Sequence, residues 1–267
     1  MRSALFVPPF DELADPAVVA ALAAEAEEAG WDGFFVWDHI AYRAPVSAVA
    51  DPWVVLSAMA CATSRILLGP MVTPLPRRRP VVVARQVASL DRLSAGRLVL
   101  GVGTGGDGSR ELSATGEELS DRARGDLLDE HLEILRGAWT GQPVRHRGAH
   151  YVVDDVTFLP TPVQAGGPPV WVGARYGNAR PLRRAAQHDG VFPIEVEEPA
   201  QLAEVVASVR AQRTASSPYD VAIGRPPGSD PAGWEVAGAT WWLVAFGIEQ
   251  TRVDLVRGVL REGPPTG

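Results

Sequence analysis

The chain has 267 residues, 46% hydrophobic and 21% charged, with a formal net charge of -7. That composition supplies one large core, in a length that suits two small domains or one barrel of about 250 residues. The acidic balance argues against nucleic acid, which needs a basic face, and no apolar run reaches the roughly 18 residues of a membrane span.

The first apolar run, SALFVPP (3–9), is too short for a secretory signal and reads as a strand. Asp15-Pro16 caps and opens a helix, Val18, Leu22 and Ala26 recur on one face of it, and Gly30 ends it. GFFVWDH (33–39) is the second run, and Asp51-Pro52 opens a helix to about Thr63. RILLGPMV (65–72) precedes a helix over Pro80–Leu93, with the basic run Arg77-Arg78-Arg79 expected as a solvated loop or helix start. RLVLGVGT (97–104) is the fourth run, followed by a loop at 106–119 and an amphipathic helix over Ser120–Trp139. Residues 140–168 are rich in Gly and Pro, with a hairpin expected around HYVVDDVTFL (150–159). The alternation resumes with PVWVGAR (169–175) and a helix at 178–187, DGVFPIE (189–195) and a helix at 199–213. YDVAIGR (219–225) leads to a short helix at 231–237, TWWLVAF (240–246) to a last helix at 249–261, and REGPPTG is expected as a frayed tail.

Eight strand–helix units with near-continuous apolar strands predict a parallel sheet buried on both faces. At this length the expectation is an α/β chain of one domain, 1–267, folded as a (β/α)8 barrel with insertions at 106–119 and 140–168. Trp241-Trp242 suit either an apolar pocket or plain core. The predicted setting is the cytoplasm, with no membrane and no nucleic-acid partner.

Active sites of such barrels lie at the C-terminal strand ends. Those ends are Asp38-His39, then Gly69-Pro70-Met71-Val72-Thr73, then Gly103-Thr104-Gly105-Gly106-Asp107, then Gly173-Ala174-Arg175-Tyr176-Gly177-Asn178. The glycines in VGTGG either leave room for a planar group or phosphate, or serve a tight turn that needs positive φ. The spacing fits a dinucleotide fingerprint poorly. Arg175 and a helix start capped by Asn178 suit an anionic phosphate. No metal site is expected: the first strand lacks His-x-His, and His131, His146, His150 and His188 read as surface or capping residues. Cys61, the only cysteine, sits mid-helix, no Ser elbow is present, and all 25 basic residues are arginine. Covalent hydrolysis has little support and Schiff-base chemistry is excluded.

The order GWDGFFVWDH, RILLGPMV, LDRLSAGRLVLGVGTG, RGDLLDEHLEILRGAW, PPVWVGA and AAQHDGVFP resembles the luciferase-like monooxygenase superfamily over residues 1–195. The resemblance implies flavin- or deazaflavin-dependent oxidoreductase chemistry, with no metal, acting on a small-molecule substrate. Many members are longer, and many are homodimers. It implies a non-proline cis peptide within Gly69–Thr73 and contributions to the cofactor site from Pro70, Met71, Val72 and Thr73. Gly103, Thr104 and Gly105 would lie near the ring or its side chain, and Gly173, Ala174, Arg175, Tyr176, Gly177 and Asn178 would hold the phosphate. An Asp-His pair at the second strand end characterises members that use coenzyme F-420. Asp38 would then contact the deazaflavin ring, and His39 would exchange a proton during hydride transfer, as an imidazole can near neutral pH. Asp107 is a weaker acid/base candidate, because Gly106 separates it from the GTG string. The alternatives are an FMN-dependent monooxygenase and a catalytically silent flavin-binding barrel.

Overall fold

The computed structural model describes residues 1–265. Its strands are β1 (Arg2–Val7), β2 (Gly33–Val36), β3 (Leu67–Pro70), β4 (Thr73–Pro74), β5 (Leu100–Gly103), β6 (Val144–Arg147), β7 (Val152–Val156), β8 (Val170–Arg175), β9 (Gly190–Ile194), β10 (Asp220–Arg225) and β11 (Trp241–Ala245). Helices α1 (Pro16–Glu28), α2 (Pro52–Ala62), α3 (Pro80–Leu93), α4 (Asp121–Trp139), α5 (Ala179–Ala185), α6 (Pro199–Gln212), α7 (Ala232–Val236) and α8 (Val253–Glu262) follow or separate them. The main sheet has nine strands in the order β3-β2-β1-β11-β10-β9-β8-β5-β4, all paired in parallel. β3 and β4 are one strand interrupted at Met71-Val72, whose peptide is cis, and a parallel bridge from Leu68 to Leu98 closes the ring. Counting β3 and β4 once gives the expected eight-stranded barrel wrapped by helices.

The strands alternate as a filled barrel requires. Ala4, Phe6, Phe35, Trp171, Trp241 and Leu243 form part of an inner cluster, while Leu5, Val7, Phe34, Val36, Trp242 and Val244 pack outward beneath the helices. Trp241 and Trp242 are therefore core, one on each side of the wall. Phe35, Trp171 and Trp241 meet at 5.4–5.9 Å in the barrel centre. The upper inner residues, Phe6, Met71 and Phe192, become the floor of a cavity.

Local capping sets most boundaries. Asp15 accepts from Ala17 N at α1, and Asp51 accepts from Trp53 N and Val54 N at α2. Gly30, at φ +88°, takes the left-handed turn after α1. In the SAGR stretch, the buried Arg97 guanidinium donates to the carbonyls of Ala60, Thr63, Ile66 and Ser94, tying α2 to β5. Asp91 accepts from Gln164 Nε2 at 2.6 Å, which pins the segment before β8 to α3.

Three expectations need correction. The hairpin starts earlier than 150, pairing β6 with β7, because Glu130 on α4 accepts from Ala149 N, His150 N and Tyr151 N and fixes the reversal there. His131 and His188 are buried rather than surface residues, and His146 is held 3.2 Å from Glu130. Burial pushes His131 and His188 down to about 3, and Arg136 and Arg184 add to the effect at His188. The tail begins later than expected, since Arg261 and Glu262 belong to α8, and its residues 266–267 lie outside the described residues.

Candidate active site

The predicted strand ends converge on one cavity of ≈ 1430 Å³ at the C-terminal mouth of the barrel. Of the expected site residues, Asp38, His39, Met71, Val72, Gly103, Thr104, Gly105, Gly173, Arg175, Gly177 and Asn178 line it. Pro70, Thr73, Ala174 and Tyr176 do not. Ala174 packs outward into the helix layer, the Tyr176 hydroxyl donates to Glu204 at 2.6 Å, and Thr73 lies beneath Asp38.

Asp38 is the centre of a buried charge network. Its Oδ1 accepts from Arg77 Nη2 at 2.5 Å and Arg78 Nη2 at 2.9 Å, and its Oδ2 accepts from Arg78 Nη2 at 2.8 Å and Thr73 Oγ1 at 2.5 Å. The Asp38 side chain is 0% exposed, with both carboxylate oxygens engaged by Arg77, Arg78 and Thr73. Arg77 and Arg78 are likewise not solvated: their side chains are 4% and 16% exposed. They reach back because β4 feeds a 3-10 turn, Leu75–Arg77, that ends beside the end of β2.

The same network reaches His39 through a residue the sequence reading missed. Glu111 Oε1 accepts from His39 Nδ1 at 2.9 Å, and Glu111 Oε2 accepts from Ile40 N at 3.1 Å. Arg77 Nη1 lies 3.0 Å from Glu111 Oε2, as a charge contact off the hydrogen-bonding axis. Burial opposes ionisation of Glu111, but the His39 hydrogen bond, the charges of His39 and Arg77 and the Ile40 N–H outweigh it, so its carboxyl is held below the usual range. Glu111 is thus an ionised carboxylate that fixes the imidazole. With Nδ1 engaged, Nε2 is the ring atom left for proton exchange. The His39 side chain is 27% exposed, and the rings of Phe10, Trp37 and Tyr42 hold it at 4.9–5.9 Å.

Asp107, the weaker acid/base candidate, accepts from Leu112 N and Ser113 N and folds the loop that carries Glu111. Backbone hydrogen bonding from Ser113 leads the causes that hold its carboxyl down. The available signal for Glu111 was Leu112, an apolar residue in a polar loop, which is buried and marks where the loop turns inward.

The glycines are explained by their neighbours. A Cβ on Gly103 would meet Val72 Cγ2 at 2.7 Å, and one on Gly173 would meet Val72 Cγ1 at 3.2 Å. Gly105 has φ +71° and a Cβ there would meet Pro74 at 2.9 Å. The Val72 side chain therefore rests in a notch that glycine provides on β5 and on β8, the next strand beyond it. Arg175 pairs with Glu195 at the rim, each more than half exposed, so water screens the pair. Asn178 precedes α5, a seven-residue helix, without a side-chain capping bond. Further along this rim are Arg122, Arg124, Arg180 and Arg184, from α4 and α5. Among the described residues no group of three His, Cys, Asp or Glu is placed to hold a metal, and no helix is long and apolar enough to cross a membrane.

Residues 2–231 match the family model described as luciferase-like monooxygenase. The chain belongs to the luciferase-like monooxygenase family. Among its curated relatives, the F420-dependent glucose-6-phosphate dehydrogenase of Nakamurella multipartita is 35% identical over 166 residues, 60% of this chain and 47% of that protein. The chain thus spans about half the length of the curated relatives it matches. Among solved structures, an F420-dependent secondary alcohol dehydrogenase bound to an F420-acetone adduct superposes with a TM-score of 0.81, at 18% identity, over 98% of this chain and 97% of that one. The coenzyme F420-dependent tetrahydromethanopterin reductase of Methanopyrus kandleri superposes with a TM-score of 0.78, at 18% identity, over 98% of both chains. At that identity the two structures establish the luciferase-like barrel.

Proposed function

We propose that this luciferase-like protein is an oxidoreductase that moves a hydride between the deazaflavin coenzyme F-420 and a small organic molecule. The observation that carries the reading is His39, held through Nδ1 by a buried, ionised Glu111 at the mouth of a barrel cavity. The name of the curated relative and the chemistry of the two barrel neighbours support the same cofactor.

The residues present fit such a group. An apolar floor of Phe6, Met71, Val72 and Phe192 suits a planar ring, and Arg122 on α4, which makes no ion pair among the described residues, suits an anionic side chain at a rim where Arg124, Arg180 and Arg184 already pair with Asp121, Asp126 and Asp129. Val72, Gly103, Thr104, Gly105 and Gly173 would hold the ring region, and Arg175, Gly177 and Asn178 the phosphate. When bound, the deazaflavin supplies a two-electron hydride carrier whose reduced form, unlike a reduced flavin, reacts poorly with oxygen.

The chain's own part is proton handling and positioning. His39 takes or returns the substrate proton at Nε2. Glu111 fixes the imidazole orientation by accepting from Nδ1. Arg77 locks Glu111 to Asp38, which makes Asp38 a positioning residue. Fluorescence titration with coenzyme F-420 and with FMN tests the reading: the deazaflavin is expected to bind at least about tenfold tighter, about 1.4 kcal/mol. FMN binding as well or better would remove the cofactor preference. His39→Ala is expected to keep cofactor binding and lose hydride transfer.

A further inference from the structure

The cations at the cavity mouth are almost all engaged before any ligand arrives. Five arginines line the cavity, on α4, β8 and α5, and four of them already pair with carboxylates. Arg124 pairs with Asp121 and donates to the carbonyls of Glu118 and Leu119. Arg180 reaches Asp126 at 2.6 Å and Asp129 at 3.0 Å, and Arg184 reaches Asp129 at 2.5 Å. Arg175 pairs with Glu195. The fifth is Arg122, an exposed side chain that makes no ion pair among the described residues. Asp107 adds one more carboxylate to the lining. Two segments that contribute to the mouth extend this balance outward. Residues 111–121, which lead into α4, contain four acidic residues and no basic one. Residues 194–209, which run from the end of β9 into α6, contain four glutamates and no basic residue. Glu111 turns inward to His39, whereas Glu118, Glu195, Glu197 and Glu198 are exposed. The mouth therefore offers one unpaired cation within a border of carboxylates.

Resting on the coenzyme reading above, we propose that the protein is built for short-tailed forms of the deazaflavin coenzyme, with Arg122 as the cation that meets the phosphate and no site for the rest of the tail. The side chain of coenzyme F-420 carries a phosphodiester and then a chain of glutamates, each of which adds one negative charge. A protein that gathers such a chain needs surplus cations, and its hold on the chain weakens as salt rises. Here the phosphodiester gains Arg122. Arg175, with Glu195 beside it, brings no net charge to the same rim. Each further glutamate meets a border of its own sign. That repulsion extends about 30 Å at about 0.01 M salt and about 8 Å at about 0.15 M. The direction of the salt effect therefore reports the border. Added salt relieves repulsion and helps a long tail here, whereas at a basic cradle it removes attraction and hurts the long tail.

The test is a fluorescence titration of the full chain with three probes: the deazaflavin nucleoside without phosphate, the coenzyme with one glutamate, and a long-tailed coenzyme with several. Each is measured at about 0.01 M and about 0.15 M salt. The one-glutamate form is expected to bind at least as tightly as the long-tailed form at the lower salt, and added salt is expected to leave that ratio level or move it toward the long-tailed form. Arg122→Gln is expected to weaken both phosphorylated forms by about fivefold, the scale of an exposed charge pair, and to leave the phosphate-free deazaflavin unchanged, which also shows that the variant is folded. Glu195→Gln releases Arg175 from its pair and is expected to strengthen the long-tailed form relative to the one-glutamate form. Tighter binding of the long-tailed form at the lower salt overturns the proposal, and so does an Arg122→Gln variant that binds both phosphorylated forms as the parent does. If none of the three probes binds, the coenzyme reading falls and this proposal with it. If the phosphate-free deazaflavin binds and the order of the tails is inverted, the assignment of the tail alone falls.

Discussion

Arg77→Met tests the buried charge network directly. Arg77 lies 2.5 Å from Asp38 and 3.0 Å from Glu111, and the three side chains are 4%, 0% and 2% exposed. Each contact is worth about 5 kcal/mol of gross attraction at ~3 Å with an effective dielectric of about 20. Most of that offsets the desolvation of the charges, and Arg78, Thr73, His39 and Ile40 N–H continue to hold the two carboxylates in the variant. The net loss is therefore that of breaking a buried pair on one side, about 3–5 kcal/mol. Urea unfolding at pH 7 reads it as a lower midpoint with an unchanged slope. The pH dependence is the sharper check. In the parent, Glu111 has a depressed pKa, so its contribution is present above the ordinary carboxylate range and is lost as pH falls through its folded value. The variant lacks one of the charges that hold Glu111 down, so it takes up a proton at higher pH. The gap between variant and parent narrows as pH falls from 7 to 4. A loss below about 1 kcal/mol, the level of an exposed pair, or a gap that ignores pH, would refute the assignment of Arg77 as the counter-ion of two buried carboxylates.

Other consequences follow from the same geometry. His131 and His188 have pKa values depressed from 6.5 to about 3, so their neutral forms stabilise the fold above pH 6.5 and that stability is lost as pH falls toward 3. Each contributes a slope of about 1.4 kcal/mol per pH unit inside that window; His131→Leu should remove one group's share of the slope in urea titrations, and an unchanged slope would show that this residue does not titrate as described. Glu111→Gln keeps a partner for His39 Nδ1 but removes the charge: coenzyme affinity should hold while hydride transfer falls, by about 10²-fold or more if proton exchange limits the rate, with a displaced pH profile. Gly103→Ala brings a Cβ to 2.7 Å of Val72, so coenzyme binding should weaken along with a stability loss of about 1–3 kcal/mol, whereas Gly106→Ala, with open space at its Cβ, should leave stability nearly unchanged.

What the sequence determined by itself was whatever acts over a few residues. Asp15-Pro16, Asp51-Pro52 and Pro80 announce helix starts, Gly30 announces a stop, and apolar runs announce buried strands, so α3 appears with the expected bounds, Pro80–Leu93. The eight-unit alternation then implied the barrel, and the barrel implied that strand ends 38–39, 69–73, 103–107 and 173–178 would meet. Tertiary structure alone decided which charges pair. Arg77 and Arg78 looked like a solvated basic run because their partner Asp38 is 39 and 40 residues away, and Glu111 is 72 residues from His39. Burial of those groups depends on the turn after β4 and the loop after β5 arriving together at the end of β2. A linear pattern of residue types carries no record of that meeting, whereas Coulomb energy and desolvation depend on little else.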